Sequence, residues 1–112
     1  DLLVQALHNK NISISADDCL MTFQSRFGKA EWLKPYTDKT LEDLPGEGSK
    51  HIAILSPAFS ADCLETIEEL AEENREIFIE AGGETYHYIA ALNDRDDHIK
   101  ALTQIIDNKL TG

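Results

Sequence analysis

Short apolar runs alternate with longer stretches of helical periodicity, and no other feature of the chain limits its fold so strongly. Cys19-Leu20-Met21-Thr22-Phe23, His51-Ile52-Ala53-Ile54-Leu55 and Tyr86-His87-Tyr88-Ile89 have the length and the β-branched or aromatic content of buried strands. Around them lie four helical patterns. Leu2, Leu3, Ala6 and Leu7 form a stripe in residues 1–8. Thr37 can cap a short helix over 37–44, with Leu41 and Leu44 on one face. Residues 62–80 carry Leu64, Ile67, Leu70, Ala71, Ile77 and Phe78 at helical spacing, opposite a glutamate-rich face. Gly82-Gly83 ends that helix. A last helix, 95–110, places Ile99, Leu102, Ile105, Ile106 and Leu110 on one side, and Asp94 and Asp97 have the spacing of a capping pair.

Alternation of this kind implies parallel strands joined by right-handed crossovers, an α/β fold. A chain of 112 residues reads as one domain. Three strands are few for a parallel sheet, so at least one more is expected before residue 1. The chain also begins in an apolar pattern without Met, and is expected to be a piece of a longer polypeptide.

Ten basic and twenty-one acidic residues give a formal charge of −11. That field repels nucleic-acid phosphates and anionic lipid, and it leaves room for a cationic or metal-bearing partner. The two cysteines, Cys19 and Cys63, lie in or beside apolar elements and form no CxxC pair. Free thiols are expected, with neither a zinc finger nor a self-contained iron–sulfur site. No run of eighteen apolar residues and no signal peptide is visible. A cytoplasmic location is expected.

The junction at 56–65 is the first candidate for chemistry. It leaves a strand, crosses Ser56-Pro57-Ala58-Phe59 and enters an acidic helix, the place where open α/β sheets hold ligands. Glu65 falls in the first turn. Asp62 and Glu65 match a capping box, but a carboxylate at a crevice mouth can equally take a proton or a metal. As a metal ligand Glu65 needs partners from elsewhere, because one carboxylate does not complete a transition-metal site. Cys63 is a small buried hydrophobe or a soft thiol at a helix start. Phe59 is core or an apolar wall for a flat ligand. Arg26 braces a loop or pairs with a ligand carboxylate, and Trp32 covers core or stacks on a planar ligand. Gly28 lacks the companions of a phosphate loop, and His8, His51, His87 and His98 lack HExxH spacing. These histidines read as structural or solvated.

Three segments go beyond a generic α/β pattern: 21–28 with 31–38 (Met-Thr-Phe-Gln-Ser-Arg-Phe-Gly and Glu-Trp-Leu-Lys-Pro-Tyr-Thr-Asp); 59–66 (Phe-Ser-Ala-Asp-Cys-Leu-Glu-Thr); and 72–76 (Glu-Glu-Asn-Arg-Glu) with Ala81-Gly82-Gly83 and Ala91-Leu92-Asn93. With them the chain resembles the C-terminal third of a bacterial ferrochelatase, over residues 20–108. The resemblance implies a three-layer, parallel-sheet, Rossmann-like lobe, with residues 1–112 a partial C-terminal lobe of a two-lobe chelatase. It implies a lyase of haem and porphyrin biosynthesis that inserts ferrous iron into protoporphyrin IX. Glu65 then matches the active-site glutamate, as base, metal ligand or both. It faces a histidine of a Ser-Phe/Tyr-His-Gly motif that precedes this region, and His8 does not match that motif. Trp32, Phe59 and Arg26 match the macrocycle's surroundings.

The turn usually reads Cys-Pro-Gly-Phe; here Ala58 replaces the glycine, and Ala90 stands where proline is usual. Cys63 occupies a position that is histidine in the eukaryotic branch. The cysteine-rich tail that holds an iron–sulfur cluster in some members is absent, so no permanently bound cofactor is expected and Fe²⁺ enters as substrate. The expected partners are protoporphyrin IX, iron and the missing N-terminal lobe. The isolated fragment is expected to be inactive, and an open edge gives it a route to a homodimer. The competing readings are a chelatase for cobalt or sirohydrochlorin, and a non-enzymatic haem- or porphyrin-binding module.

Overall fold

The computed structural model describes residues 2–24 and 28–112. The chain divides into two compact units, Asp1–Tyr36 and Thr37–Gly112.

In the first unit, helix α1 spans Leu2–Asn9. Its buried residue is Val4, whereas Leu2 of the anticipated stripe is 84% exposed. A single 3-10 turn follows at Ala16–Asp18, and Asp18 Oδ2 accepts the Ser15 backbone N–H and hydroxyl. The run Cys19–Phe23 does not form the strand its composition suggests. Its ladder is one parallel bridge, Phe23 to Tyr36, in which the Phe23 N–H donates to the Pro35 carbonyl. Leu20 and Met21 stay exposed. Apolar content favours an extended segment only where a partner strand and covering layers exist, and a single bridge supplies neither.

The second unit holds the sheet. Helix α2 is Thr37–Asp43, strand β1 is His51–Leu55 and strand β2 is Thr85–Ile89. The strands pair in parallel, Ile52 opposite Tyr86 and Ile54 opposite Tyr88. Among the described residues the sheet has these two strands. Sequence suggests a β1 apolar on both faces. The structure half-buries Ile52, Ile54, Tyr86 and Tyr88 on one face and leaves His51, Ala53, Leu55, Thr85, His87 and Ile89 exposed on the other. Successive strand residues point to opposite faces, so one covering layer buries every second residue.

Helix α3 connects the strands in two parts, a π-helical stretch Glu65–Glu73 and an α-helical stretch Asn74–Glu80. The Asn74 N–H reaches back to the Glu69 carbonyl, five residues earlier. That wider turn moves the apolar stripe. Leu70 and Phe78 are buried as their spacing predicts, but Leu64 and Ile67 are exposed and Thr66 is fully buried. Residues three and four apart share a face in an α-helix, and i→i+5 bonding breaks that spacing. At the junction of the two parts Asn74 is buried, with its Nδ2 unbonded.

Helix α2 and strand β2 pack on α3. The Phe78 and Tyr86 rings lie 5.9 Å apart, and the Tyr86 hydroxyl donates to the Leu70 carbonyl at 2.6 Å. Burial raises the Tyr86 phenol above its ordinary pKa. Fully burying a side chain such as Phe78 contributes about 1.5–3 kcal/mol. The stop of α3 follows the double glycine. The Gly83 N–H donates to Phe78 O and the Gly82 N–H to Ile79 O, with Gly82 at φ +107°. This is a Schellman closure, which requires the left-handed residue that glycine supplies.

Helix α4, Asp96–Thr111, buries none of its residues. The expected Asp94–Asp97 cap is not its start. Arg95 holds the cap position, and Asp97 instead accepts from the Arg95 guanidinium at 2.9 and 3.1 Å and from the His98 N–H. An arginine fork matches a carboxylate at both oxygens and outcompetes a distant backbone donor. No helix among the described residues is long and apolar enough to cross a membrane.

Candidate active site

Parallel strands bring their following loops to the same edge of a sheet. The loop 56–64 leaves β1 and the loop 90–95 leaves β2, so both lie at the carboxyl edge, where α/β sheets receive ligands. Beyond Pro57 the chain turns tightly, the Phe59 N–H bonding Ser56 O at 3.1 Å. Phe59 is half-buried there. Glu65 follows at the start of α3, exposed, next to exposed Leu64 and close in sequence to half-exposed Ile67. At this edge an exposed carboxylate and exposed apolar side chains are thus neighbours in sequence.

Asp62 stitches the two loops together. Its Oδ1 accepts the Tyr88 hydroxyl at 2.5 Å, the Thr66 hydroxyl at 2.9 Å and the Ala91 N–H at 3.3 Å. Its Oδ2 accepts Asn93 Nδ2 at 2.9 Å, and the Asp62 N–H donates back to Asn93 Oδ1 at 2.8 Å. The Asn93 N–H donates to Ser60 O at 2.9 Å. The Cys63 N–H donates to the Thr66 hydroxyl at 2.9 Å, which ties the first turn of α3 to the same group. Hydrogen bonds, from Tyr88 first and then Asn93, hold the Asp62 carboxyl down at about 2. Burial and the bond to that carboxylate raise the Tyr88 phenol.

Sequence spacing offers Asp62 as a local cap, but three of its carboxylate's partners lie 26–31 residues downstream. The signal that could have found them is the Tyr86-His87-Tyr88 alternation, which points both tyrosines to the α3 side. Asn93 offers a second signal. Its φ of +50° is a left-handed conformation that asparagine tolerates better than most residues.

Of the other sequence candidates, Trp32 belongs to the first unit, part-exposed, with its N–H 3.4 Å from the Tyr36 hydroxyl. Arg26 lies outside the described residues. Cys63 is a half-buried free thiol, and so is Cys19. His98 Nδ1 donates to Asn93 O at 2.7 Å, His51 bonds Thr85 Oγ1 at 3.0 Å, and His8 bonds Ile14 O. A cleft between α2 and the far end of α3, lined by Asp38, Lys39, Glu42, Ile77, Glu80 and Ala81, lies at the opposite end of that helix from Glu65. Among the described residues, no three His, Cys, Asp or Glu side chains converge to hold a metal ion.

Comparison with known proteins decides the family. The ferrochelatase family model matches residues 2–110. The chain belongs to the ferrochelatase family. It is 59% identical over 103 residues to the ferrochelatase of Hydrogenovibrio crunogenus, covering 92% of this chain and 27% of that protein. It is 55% identical to that of Idiomarina loihiensis (92% and 28%) and 53% identical to that of Shewanella denitrificans (94% and 31%). The chain thus spans less than a third of the length of these ferrochelatases.

Proposed function

We propose that this chain is the C-terminal lobe of an enzyme that inserts ferrous iron into protoporphyrin IX, and that Glu65 is its reacting carboxylate. The observation that carries the reading is the position of Glu65. In a ferrochelatase-family chain it is exposed at the carboxyl edge of a parallel sheet, at the start of α3. Insertion releases the two pyrrole N–H protons as the metal–nitrogen bonds form. A carboxylate at that point takes a proton, holds the incoming metal, or does both in turn. The rest of the metal's coordination sphere, including a facing histidine, comes from outside these residues. Phe59 and Trp32 serve as apolar walls for the macrocycle, and Arg26 pairs with one of its carboxylates. The uncovered face of the sheet and the apolar stripe of α4 meet the rest of the full-length polypeptide, which completes the three-layer lobe.

The test is iron insertion by the full-length protein, followed by loss of porphyrin fluorescence. Glu65→Gln is expected to lower kcat on the order of a hundredfold or more. An unchanged rate overturns the assignment. The 112-residue chain alone is expected to show no turnover. Tight one-to-one binding of protoporphyrin, with no insertion by the full-length protein, would favour a porphyrin-binding module instead.

A further inference from the structure

Glu65 stands on a helix whose bonding runs against its own apolar spacing. Leu70, Asn74 and Phe78 form the buried side of α3. In an uninterrupted α-helix the residue seven places before Asn74 shares that side. That residue is Ile67, yet Ile67 is 50% exposed, and the fully buried residue is Thr66, eight places back. The π-helical stretch makes the difference, because i→i+5 bonding takes up the extra residue. An all-α helix that buries Ile67 is therefore a competing arrangement of the same segment, and it would turn Glu65 to a different side.

The two arrangements differ in what Leu70 O receives. In an α-helix the Asn74 N–H bonds the Leu70 carbonyl, four residues back. Here that N–H is spent on Glu69 O, and Leu70 O instead accepts the Tyr86 hydroxyl at 2.6 Å. Leu70 is buried, and a buried carbonyl deprived of a donor is costly. The hydroxyl thus supplies what the π-helical register takes away. The same junction carries a cost that nothing offsets, the buried and unbonded Asn74 Nδ2, so the register gains from support outside the helix.

We propose that Tyr86 is a positioning residue: by donating to Leu70 O it holds α3 in the π-helical register that presents Glu65 at the carboxyl edge of the sheet. The proposal rests on the assignment of Glu65 as the reacting group. Tyr86 acts through the helix, from strand β2, with its ring packed 5.9 Å from that of Phe78. A displacement of Glu65 by about 1 Å is enough to cost up to a hundredfold in rate. Phe59 and Trp32 do not belong to α3, so binding of the macrocycle should change little.

The experiment uses full-length variants. Tyr86→Phe keeps the ring and removes the donor. It is expected to lower kcat for iron insertion by about fivefold or more and to leave the porphyrin KM within about twofold. Its crystal structure is expected to show the Asn74 N–H moved from Glu69 O to Leu70 O. Ile67→Gln removes the apolar gain of the all-α arrangement. Tyr86→Phe made in that background is expected to cost less than about twofold in kcat relative to Ile67→Gln alone. A general loss of stability gives no such recovery. A Tyr86→Phe structure that keeps the Asn74–Glu69 bond overturns the proposal, and so does an equal loss of kcat in the two backgrounds. If Glu65→Gln is itself fully active, the positioning role falls with the assignment it depends on, while the bond at Asn74 is read independently. Should Tyr86→Phe fail to fold alone, the double variant decides: folding with the kcat of Ile67→Gln supports the proposal, and a double variant that does not fold, or is about fivefold slower, overturns it.

Discussion

Helices α3 and α4 present similar sequence patterns and meet different fates. Each has apolar residues at helical spacing on one face and charged residues on the other. Helix α3 buries Thr66, Leu70, Asn74 and Phe78, and packs against both α2 and β2. Helix α4 buries nothing: Ile105 is 64% exposed and Leu110 82%. An amphipathic stripe records a demand for a covering surface, not the presence of one. In α3 the demand is met within the second unit. In α4 it is not met by any part of that unit.

The contrast predicts unequal costs of mutation. Phe78→Ala, at the centre of the α3 packing, is expected to destabilise the chain by about 3–5 kcal/mol in denaturant titration. A loss below 1 kcal/mol would mean that α3 is no better packed than α4. Gly83→Ala comes next. A methyl group there would lie 2.2–2.7 Å from three atoms of the fully buried Phe78 ring. The ring has nowhere to yield, and overpacking of that kind costs about 1–3 kcal/mol. Gly82→Ala tests the same closure through the backbone. Its φ of +107° strains an alanine although the nearest atom, on Pro45, stands off at 3.8 Å.

Acid sharpens the comparison at the start of α3. The folded Asp62 carboxyl titrates at about 2, below its ordinary 3.8, so the folded state favours the charged form. Its contribution is complete above about pH 4 and is lost as the pH falls through 2. Tyr88 shifts the other way: its raised phenol favours the neutral form, and that contribution fades as the pH climbs past 10. Thermal unfolding followed from pH 5 to pH 2 should therefore fall more steeply for the parent chain than for Asp62→Asn. Equal slopes would place the acid sensitivity elsewhere, for example at Asp18 or Asp97, whose carboxyls are also held low by Ser15 and Arg95.

Strands β1 and β2, the helix between them and the glycine stop were legible because each rests on local chemistry: short apolar runs, helical spacing, a left-handed turn; the alternation that exposes every second strand residue was not. The position of Glu65 after β1 was legible for the same reason. What escaped was non-local. Cys19–Phe23 looks like a strand by content, but a strand exists only with a partner. The π-helical start of α3 has no signature in residue spacing, so Leu64 and Ile67 read as core and Thr66 did not. Asp62 read as a cap because its neighbours in sequence allow one, while Tyr88 and Asn93 reach it only through the fold.

The smallest expected effect is the most discriminating. Ile105→Ser removes an apolar side chain from the middle of the α4 stripe. A buried isoleucine exchanged for a polar residue would cost several kcal/mol, through lost burial and an unsatisfied hydroxyl. At an exposed position the same change usually stays within about 0.5 kcal/mol. The second value is expected for the 112-residue chain, because the side chain already meets solvent. A cost approaching that of Phe78→Ala would show that α4 is packed in solution, and the division between a covered α3 and an uncovered α4 would collapse. A null result in this chain, set beside a loss of stability when the same change is made in the full-length protein, would instead locate the cover for α4 in the remaining polypeptide. The pair of measurements turns an unburied stripe into a reading of where the rest of the protein lies.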